Sequence, residues 1–497
     1  MGDLASDLSA AELAAARKSP LYNEDLAPVA SSDRRWKTKD IAHLWVGMSV
    51  CIPTYMLASG LIAGGMNWWQ AILTVALGNL IVLIPMVLNG HAGTKYGITF
   101  PVFARASFGV HGTHIASVLR AVVACGWFGI QAWIGGTAIY ELTRLQWPGI
   151  ADSAVIGFLG NEHIQVNVAQ FLCFLLFWAI NIGIFWRGME SIRVVENWGA
   201  PLLVGLGLAL LIWAYINADG FGPMLSQPDQ FETNADFWRM FFPSLTAMVG
   251  FWATLSLNIP DFTREARSQR DQMLGQFLGL NTTMPFYAFV GVAVTSATVV
   301  IFGEAIWDPV QLLARFDSVG LMIVSMFALT LATLTTNLAA NVVAPSTAFS
   351  NFMPRKISLR VGGIITGIIG ILMMPWKLVA DPSGYIFTWL IGYSGLLGPI
   401  GGILVCDYFL IRRTKLDLPA LYDPEGAYKY TAGYNPAAMI ALVVAILPNV
   451  PGFLGQIGAL QVSSFWSTFY SYAWFTGFLI ALGVYFALMQ LKRGAKG

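Results

Sequence analysis

Charge is scarce in this 497-residue chain. Asp, Glu, Lys and Arg make up 11% of it, where an average soluble domain carries about a quarter, and so thin a supply cannot clothe a water-facing surface. The charges that are present nearly cancel, at +1, which by itself says nothing of an anionic partner; no nucleic-acid partner is expected. The four cysteines, Cys51, Cys125, Cys173 and Cys406, are widely spaced in apolar runs, and neither a disulfide framework nor a thiolate metal site follows from them.

Signatures of chemistry are missing as well. No GxxxxGK[ST] loop is present: GHAGTKYG from Gly90 follows its lysine with Tyr96, so ATP is not expected to drive the protein directly. The five histidines, at 43, 91, 111, 114 and 163, show neither HExxH nor any other ligand spacing, and there is no GxSxG elbow. An enzyme is therefore not expected, and no cofactor is implied. The first 40 residues mix Asp, Glu, Lys and Arg without an apolar core, so no cleavable signal peptide is expected. Within them SAAELAAARK from Ser9 starts as a capping box, Ser9 with Glu12, and reads as a short helix.

Apolar sequence is what the chain has in abundance, at 56%. Runs of 18 or more nearly uncharged residues recur, such as QAILTVALGNLIVLIPMVLNG from Gln70 and ALTLATLTTNLAANVVA from Ala328. Each is long enough to cross a hydrocarbon core of about 30 Å as a helix. Their continuity argues against a barrel, whose strands would alternate polar and apolar. The reading is an all-α polytopic membrane protein with twelve spans: 41–65, 69–92, 112–142, 166–186, 196–216, 240–262, 276–302, 319–343, 358–376, 384–411, 434–450 and 466–490.

With this division, 24 of the 28 Lys and Arg residues fall on the side of the N-terminus, Arg120 and Arg355 among them, and Arg144, Arg239, Arg315 and Lys377 on the other. The positive-inside rule then puts both termini in the cytoplasm. Channels and secondary transporters remain as classes, and the helix breakers favour a transporter. GMSVCIPTY in span 1 sets Gly47 six residues before Pro53, and GFWATLSLNIPDF in span 6 pairs Gly250 with Pro260. Transporters built from inverted repeats interrupt one helix in each half, where freed backbone groups bind substrate and ion. Spans 1 and 6 are five apart, as a five-plus-five repeat requires; the plainer alternative is that Gly and Pro are frequent in membrane helices.

GWFGIQAW in span 3, GFWATLSLNIPDFTR in span 6, LATLTTNLAANVVAP from Leu331 and GPIGG with DYFLIRR around the end of span 10 together resemble the nucleobase:cation symporter-1 family. The likeness runs from about Asn23 to the last span. LATLTTNLAAN, WLIGYSGLLGPIGG and ILPNVPGFL are similar to plant plastid members that carry uracil, adenine and guanine, whereas NEDLAPV and LNGHAGTKYG are similar to bacterial allantoin permeases. The resemblance implies a LeuT-type fold: a cytoplasmic segment 1–40, a first repeat 41–216, a second repeat 238–411, two accessory helices in 434–490 and a cytoplasmic tail 491–497. Spans 1, 2, 6 and 7 would rock against spans 3, 4, 8 and 9, with spans 5 and 10 as gates. A monomer in the inner (plasma) membrane of a bacterium is expected.

Trp127 and Gln131, four apart, share one face of span 3 about 6 Å apart along the axis. A flat heterocycle needs aromatic faces to stack on and groups that both donate and accept at its rim, which tryptophan and a carboxamide supply. Interfacial anchoring, the ordinary use of tryptophan, suits Trp68, Trp69, Trp147 and Trp307 better than mid-span Trp127. By resemblance the second aromatic plate is Trp252 and the second amide Asn341; the alternative for Asn341 is a bond to a neighbouring helix. The family's hydantoin transporter has glutamine where this chain has Cys51 and glycine where it has Phe251, which points away from hydantoin toward a nucleobase, with allantoin second.

The coupling ion is carried over in the same way. Backbone carbonyls of Gly47, Val50 and Ala332 with the hydroxyls of Thr335 and Thr336 would make a cage of neutral oxygens for Na+, with H+ as the alternative ion. A threonine pair also commonly bonds back to its own preceding turn.

Overall fold

The structure, a computed structural model, describes residues 4–22, 24–158, 161–187, 189–352 and 356–494. Of the positions named from the sequence, Asn23 and Arg355 lie outside these, as do residues 495–497 of the tail. The described chain is mostly helical, with one small hairpin, Val155–Phe158 against Asn161–Asn167, between spans 3 and 4.

Among the described residues eight helices are long and apolar enough to cross a bilayer singly, and a bent pair makes a ninth crossing. That pair is span 1. Thr38–Ser49 ends where Pro53 has no N–H to give the Ser49 carbonyl, and Ile52–Ala63 resumes after a bend of 61°. Val50 and Cys51 lie between the two halves, out of helical conformation. Span 6 is also divided: Asn234–Phe251 stops at Trp252 (φ −98°, ψ 5°), and Ala253–Asn258 and Pro260–Thr263 carry on beyond. Both interruptions fall where the glycine and proline spacing puts them.

Packing sorts the helices into two groups. The span-7 helix Gln269–Phe302 lies along both halves of span 1 and along Trp68–Tyr96, which in turn meets the pieces of span 6. The span-3 helix Thr113–Gln146 lies against Val168–Arg187, Val319–Asn337 and Leu359–Leu372. Between spans 3 and 9 the approach is close enough that a Cβ on Gly129 would stand 2.3 Å from the Gly370 carbonyl oxygen. This explains one of the glycines in GWFGIQAW.

Three turns of π-helix widen the ladder, at Leu338–Val342 in span 8 and at Gly384–Leu390 and Cys406–Ile411 at the two ends of span 10. Such wide turns gather at functional sites. On the side of the N-terminus the leading segment is tied down. Ser9 and Glu12 form the expected capping box, Arg34 donates to the carbonyls of Val29 and Thr94, and the Tyr422 hydroxyl donates to Leu26 O at 2.7 Å.

Candidate functional site

A cavity of about 510 Å³ lies between the two helix groups at the level of both interruptions, within the usual size range of small-molecule sites. Gly47 and Cys51 of span 1, Trp127 and Gln131 of span 3, Trp252 of span 6 and Thr335, Thr336 and Asn341 of span 8 all border it. Three elements far apart in sequence thus bring the residues named for the ligand to one space, and span 1 adds Gly47, named for the ion. Val50 and Ala332 do not border it; both are buried behind its wall.

The cavity continues past Arg120, Phe262 and Ala344 to His43, which is exposed, so it leads to the side of the N-terminus. Its other end is roofed by aromatic rings. Trp127 meets Phe251, Trp389, Tyr385 and Tyr393 nearly at right angles, with ring centroids at 5.2, 5.8, 6.2 and 6.3 Å. Edge-to-face contacts of this kind hold aromatic rings in fixed orientation. Gly126 makes room for the roof, since a Cβ there would stand 2.2 Å from the Trp389 ring. The roof is fastened by hydroxyls: Tyr385 donates to Pro53 O at 3.1 Å and Tyr393 to Gly250 O at 2.8 Å.

Trp252 is held from behind. Its indole N–H lies 3.2 Å from Asn79 Oδ1 and 2.9 Å from the Met284 sulfur, and Trp45 stands edge-on to it at 5.1 Å. Among the described residues no ring contact joins Trp127 to Trp252; Phe251 is edge-on to both. The side chain singled out in the sequence for departing from the hydantoin transporter therefore stands between the two tryptophans.

The amides differ in what they offer. Gln131 Oε1 is buried without a partner among the described residues, and an acceptor so placed costs about 1–3 kcal/mol until something donates to it. Asn341 Nδ2 donates to Asn337 Oδ1 at 3.1 Å, and Asn337 Nδ2 lies 3.3 Å from both Phe128 O and Asn181 Oδ1. A chain of three carboxamides, two on span 8 and one on span 4, with a backbone carbonyl of span 3 beside them, thus orients Asn341. The π-turn at 338–342 sets this residue out of step with a regular helix, so the angle of about 120° from Thr335 that regular geometry gives does not apply, and Asn341 shares a wall with both threonines.

Thr335 and Thr336 hydroxyls both donate to Ala332 O, at 2.7 and 3.1 Å. This is the ordinary back-bonding of threonine, and it leaves both oxygens with lone pairs to give. Neutral hydroxyl and carbonyl oxygens without carboxylate or imidazole suit a hard monovalent cation, and among the described residues no group of three or more His, Cys, Asp or Glu is placed to hold a metal.

Sequence reasoning missed Arg120, Asn258, Asn79 and the roof of span 10. Arg120 was within reach, because Arg120, Ala124, Trp127 and Gln131 fall on one helical stripe and all four border the cavity.

Two interrupted helices around a cavity that leads to one side and is roofed at the other define a membrane transporter of the LeuT type, not an enzyme. The chain belongs to the family of permeases for cytosine/purines, uracil, thiamine and allantoin, whose profile matches residues 28–477. It is 48% identical over 473 residues to the purine-uracil permease NCS1 of Arabidopsis thaliana, covering 95% of this chain and 78% of that one. It is 40% identical over 474 residues to the allantoin permease of Bacillus subtilis (strain 168), covering 95% and 94%. Among solved structures it resembles Mhp1, a nucleobase-cation-symport-1 family transporter, at 26% identity. The TM-score is 0.78 to an inward-facing conformation, covering 95% of this chain and 94% of that one, and 0.73 to a closed one with bromovinylhydantoin bound, covering 95% and 96%.

Proposed function

We propose that this protein imports a flat nitrogenous ring, uracil or a purine base, by symport with Na+ and alternating access. The observation that carries the reading is the meeting of Trp127, Trp252, Gln131 and Asn341 around one cavity between two broken helices. Tryptophan supplies stacking that tolerates any base, and the two carboxamides read the rim. The 48% identity to a purine-uracil permease favours nucleobases. Allantoin is the second reading, on the 40% identity to the Bacillus subtilis permease.

The ion would sit at Gly47, Val50, Ala332, Thr335 and Thr336, with a proton as the alternative coupling ion. We read the conformation as inward-facing. A second space of about 170 Å³ beyond the roof, bordered by Met56, Trp133, Asp308 and Trp376, would be the closed remnant of the outer path; burial raises the Asp308 carboxyl there to about 6.

We count twelve crossings in two repeats, 41–216 and 238–411, with 434–490 accessory. The three beyond the nine are the divided span 6, the 29-residue helix Met189–Asn217 and the 14-residue helix Leu359–Leu372. The segregation of Lys and Arg supports cytoplasmic termini, and we place the protein as a monomer in a bacterial inner membrane.

The test is uptake into proteoliposomes of labelled uracil, adenine, guanine, cytosine, allantoin and hydantoin, with and without a sodium gradient. Concentrative, sodium-dependent uptake of uracil or a purine is expected. Failure of all six rings rejects the substrate class, and uptake that merely equilibrates turns the protein into a facilitator. Thr336→Ala is expected to raise the Na+ concentration for half-maximal uptake several-fold; indifference to sodium before and after the change removes the ion site.

A further inference from the structure

Arg120 lies in span 3 seven residues before Trp127, about 10 Å nearer the open end on the same stripe. It borders the cavity, yet it is only 6% exposed. Among the described residues its guanidinium makes no ion pair and no hydrogen bond, and its Nε is fully enclosed. Asp261, the carboxylate that attracts it, is already engaged, accepting from Phe100 N at 2.7 Å and from Asn258 Nδ2 at 3.3 Å. A buried cation left without a partner is costly, and inside a membrane helix it marks a functional position.

A guanidinium only donates, so its complement is an acceptor. On nucleobases that means a ring oxo group or a bare ring nitrogen: the fork of arginine spans the O6 and N7 acceptors of guanine, whereas adenine sets an amine donor beside N7. The groups higher in the cavity are carboxamides, which donate and accept and therefore do not reject an amine on this basis.

We propose that Arg120 forms a second recognition point on the inner path, which takes an oxo group of the passing ring and favours bases that carry one, such as uracil and guanine, over adenine, which carries none. This rests on the reading of the cavity as a nucleobase path. The upper site holds the ring by stacking; Arg120 sorts by the sign of the hydrogen bond.

The experiment compares uptake of labelled uracil, guanine and adenine by wild type, Arg120→Gln and Arg120→Lys in proteoliposomes. Arg120→Gln is expected to lower the ratio of uracil or guanine uptake to adenine uptake about tenfold. Arg120→Lys, still a cation but without the planar fork, is expected to fall between. Equal loss for all three bases, or an unchanged ratio, overturns the proposal. If Arg120→Gln does not survive extraction as a monodisperse protein, the ratio for Arg120→Lys decides alike: lowered, it supports the proposal; unchanged, it overturns it. Wild type that carries none of the three bases overturns the function itself and this inference with it. Wild type and Trp127→Ala that differ as expected, beside an Arg120→Gln ratio equal to wild type, leave the function standing and remove only the role of Arg120.

Discussion

Uracil binds Trp127→Ala about tenfold to a hundredfold more weakly than wild type when affinity is measured on purified protein. Stacking on one aromatic is worth about 1–3 kcal/mol per base, and each 1.4 kcal/mol is a factor of ten. Trp127 is 7% exposed, so the loss is taken in a site sheltered from water. Because four rings stand around this indole, alanine also loosens the roof, and Trp127→Phe separates the two effects. Phenylalanine keeps a smaller stacking face and fills part of the space, and its affinity should lie between. An unaltered affinity in Trp127→Ala ends the proposal that the ring stacks there.

Asp407→Ala has its expected effect on stability instead. The carboxylate is buried at the C-terminal end of span 10, where Oδ2 accepts from Arg412 Nε at 2.6 Å and from the Ser107 hydroxyl at 3.1 Å, and Oδ1 accepts from the Tyr485 hydroxyl at 2.7 Å. Arg412 continues to Ala106 O at 2.8 Å. Removing the carboxylate strands a largely buried guanidinium and two hydroxyls, a loss of about 3–5 kcal/mol for a buried pair. Arg412 keeps some contact with water, its side chain being 19% exposed, which puts the expectation near the lower figure. Denaturation in detergent measures it, and ligand affinity of the surviving fold should be unchanged. A variant as stable as wild type shows that the cluster contributes nothing net.

Much of the architecture is legible in the sequence because it follows from backbone chemistry and hydropathy. Pro53 must leave a carbonyl without its N–H, so the break beside it needs no knowledge of the neighbours. Trp127 and Gln131 share a face by the period of the helix alone. The π-turn that carries Asn341 is different: it packs against spans 3 and 4, and nothing in LTTNLAAN announces it. Charge counting enters Arg120 by its sign on one side of the membrane, and that count is blind to which way a side chain faces. The roof is equally opaque, since nothing in the sequence says that Tyr385, Trp389 and Tyr393 turn toward Trp127 until Gly126 is seen to admit the Trp389 ring beside it.

The two tyrosine hydroxyls of that roof end on Pro53 and Gly250, one beside each discontinuity of the first and sixth segments. Door and hinge are therefore wired as an interlock: the lid cannot swing without releasing a bond at each pivot.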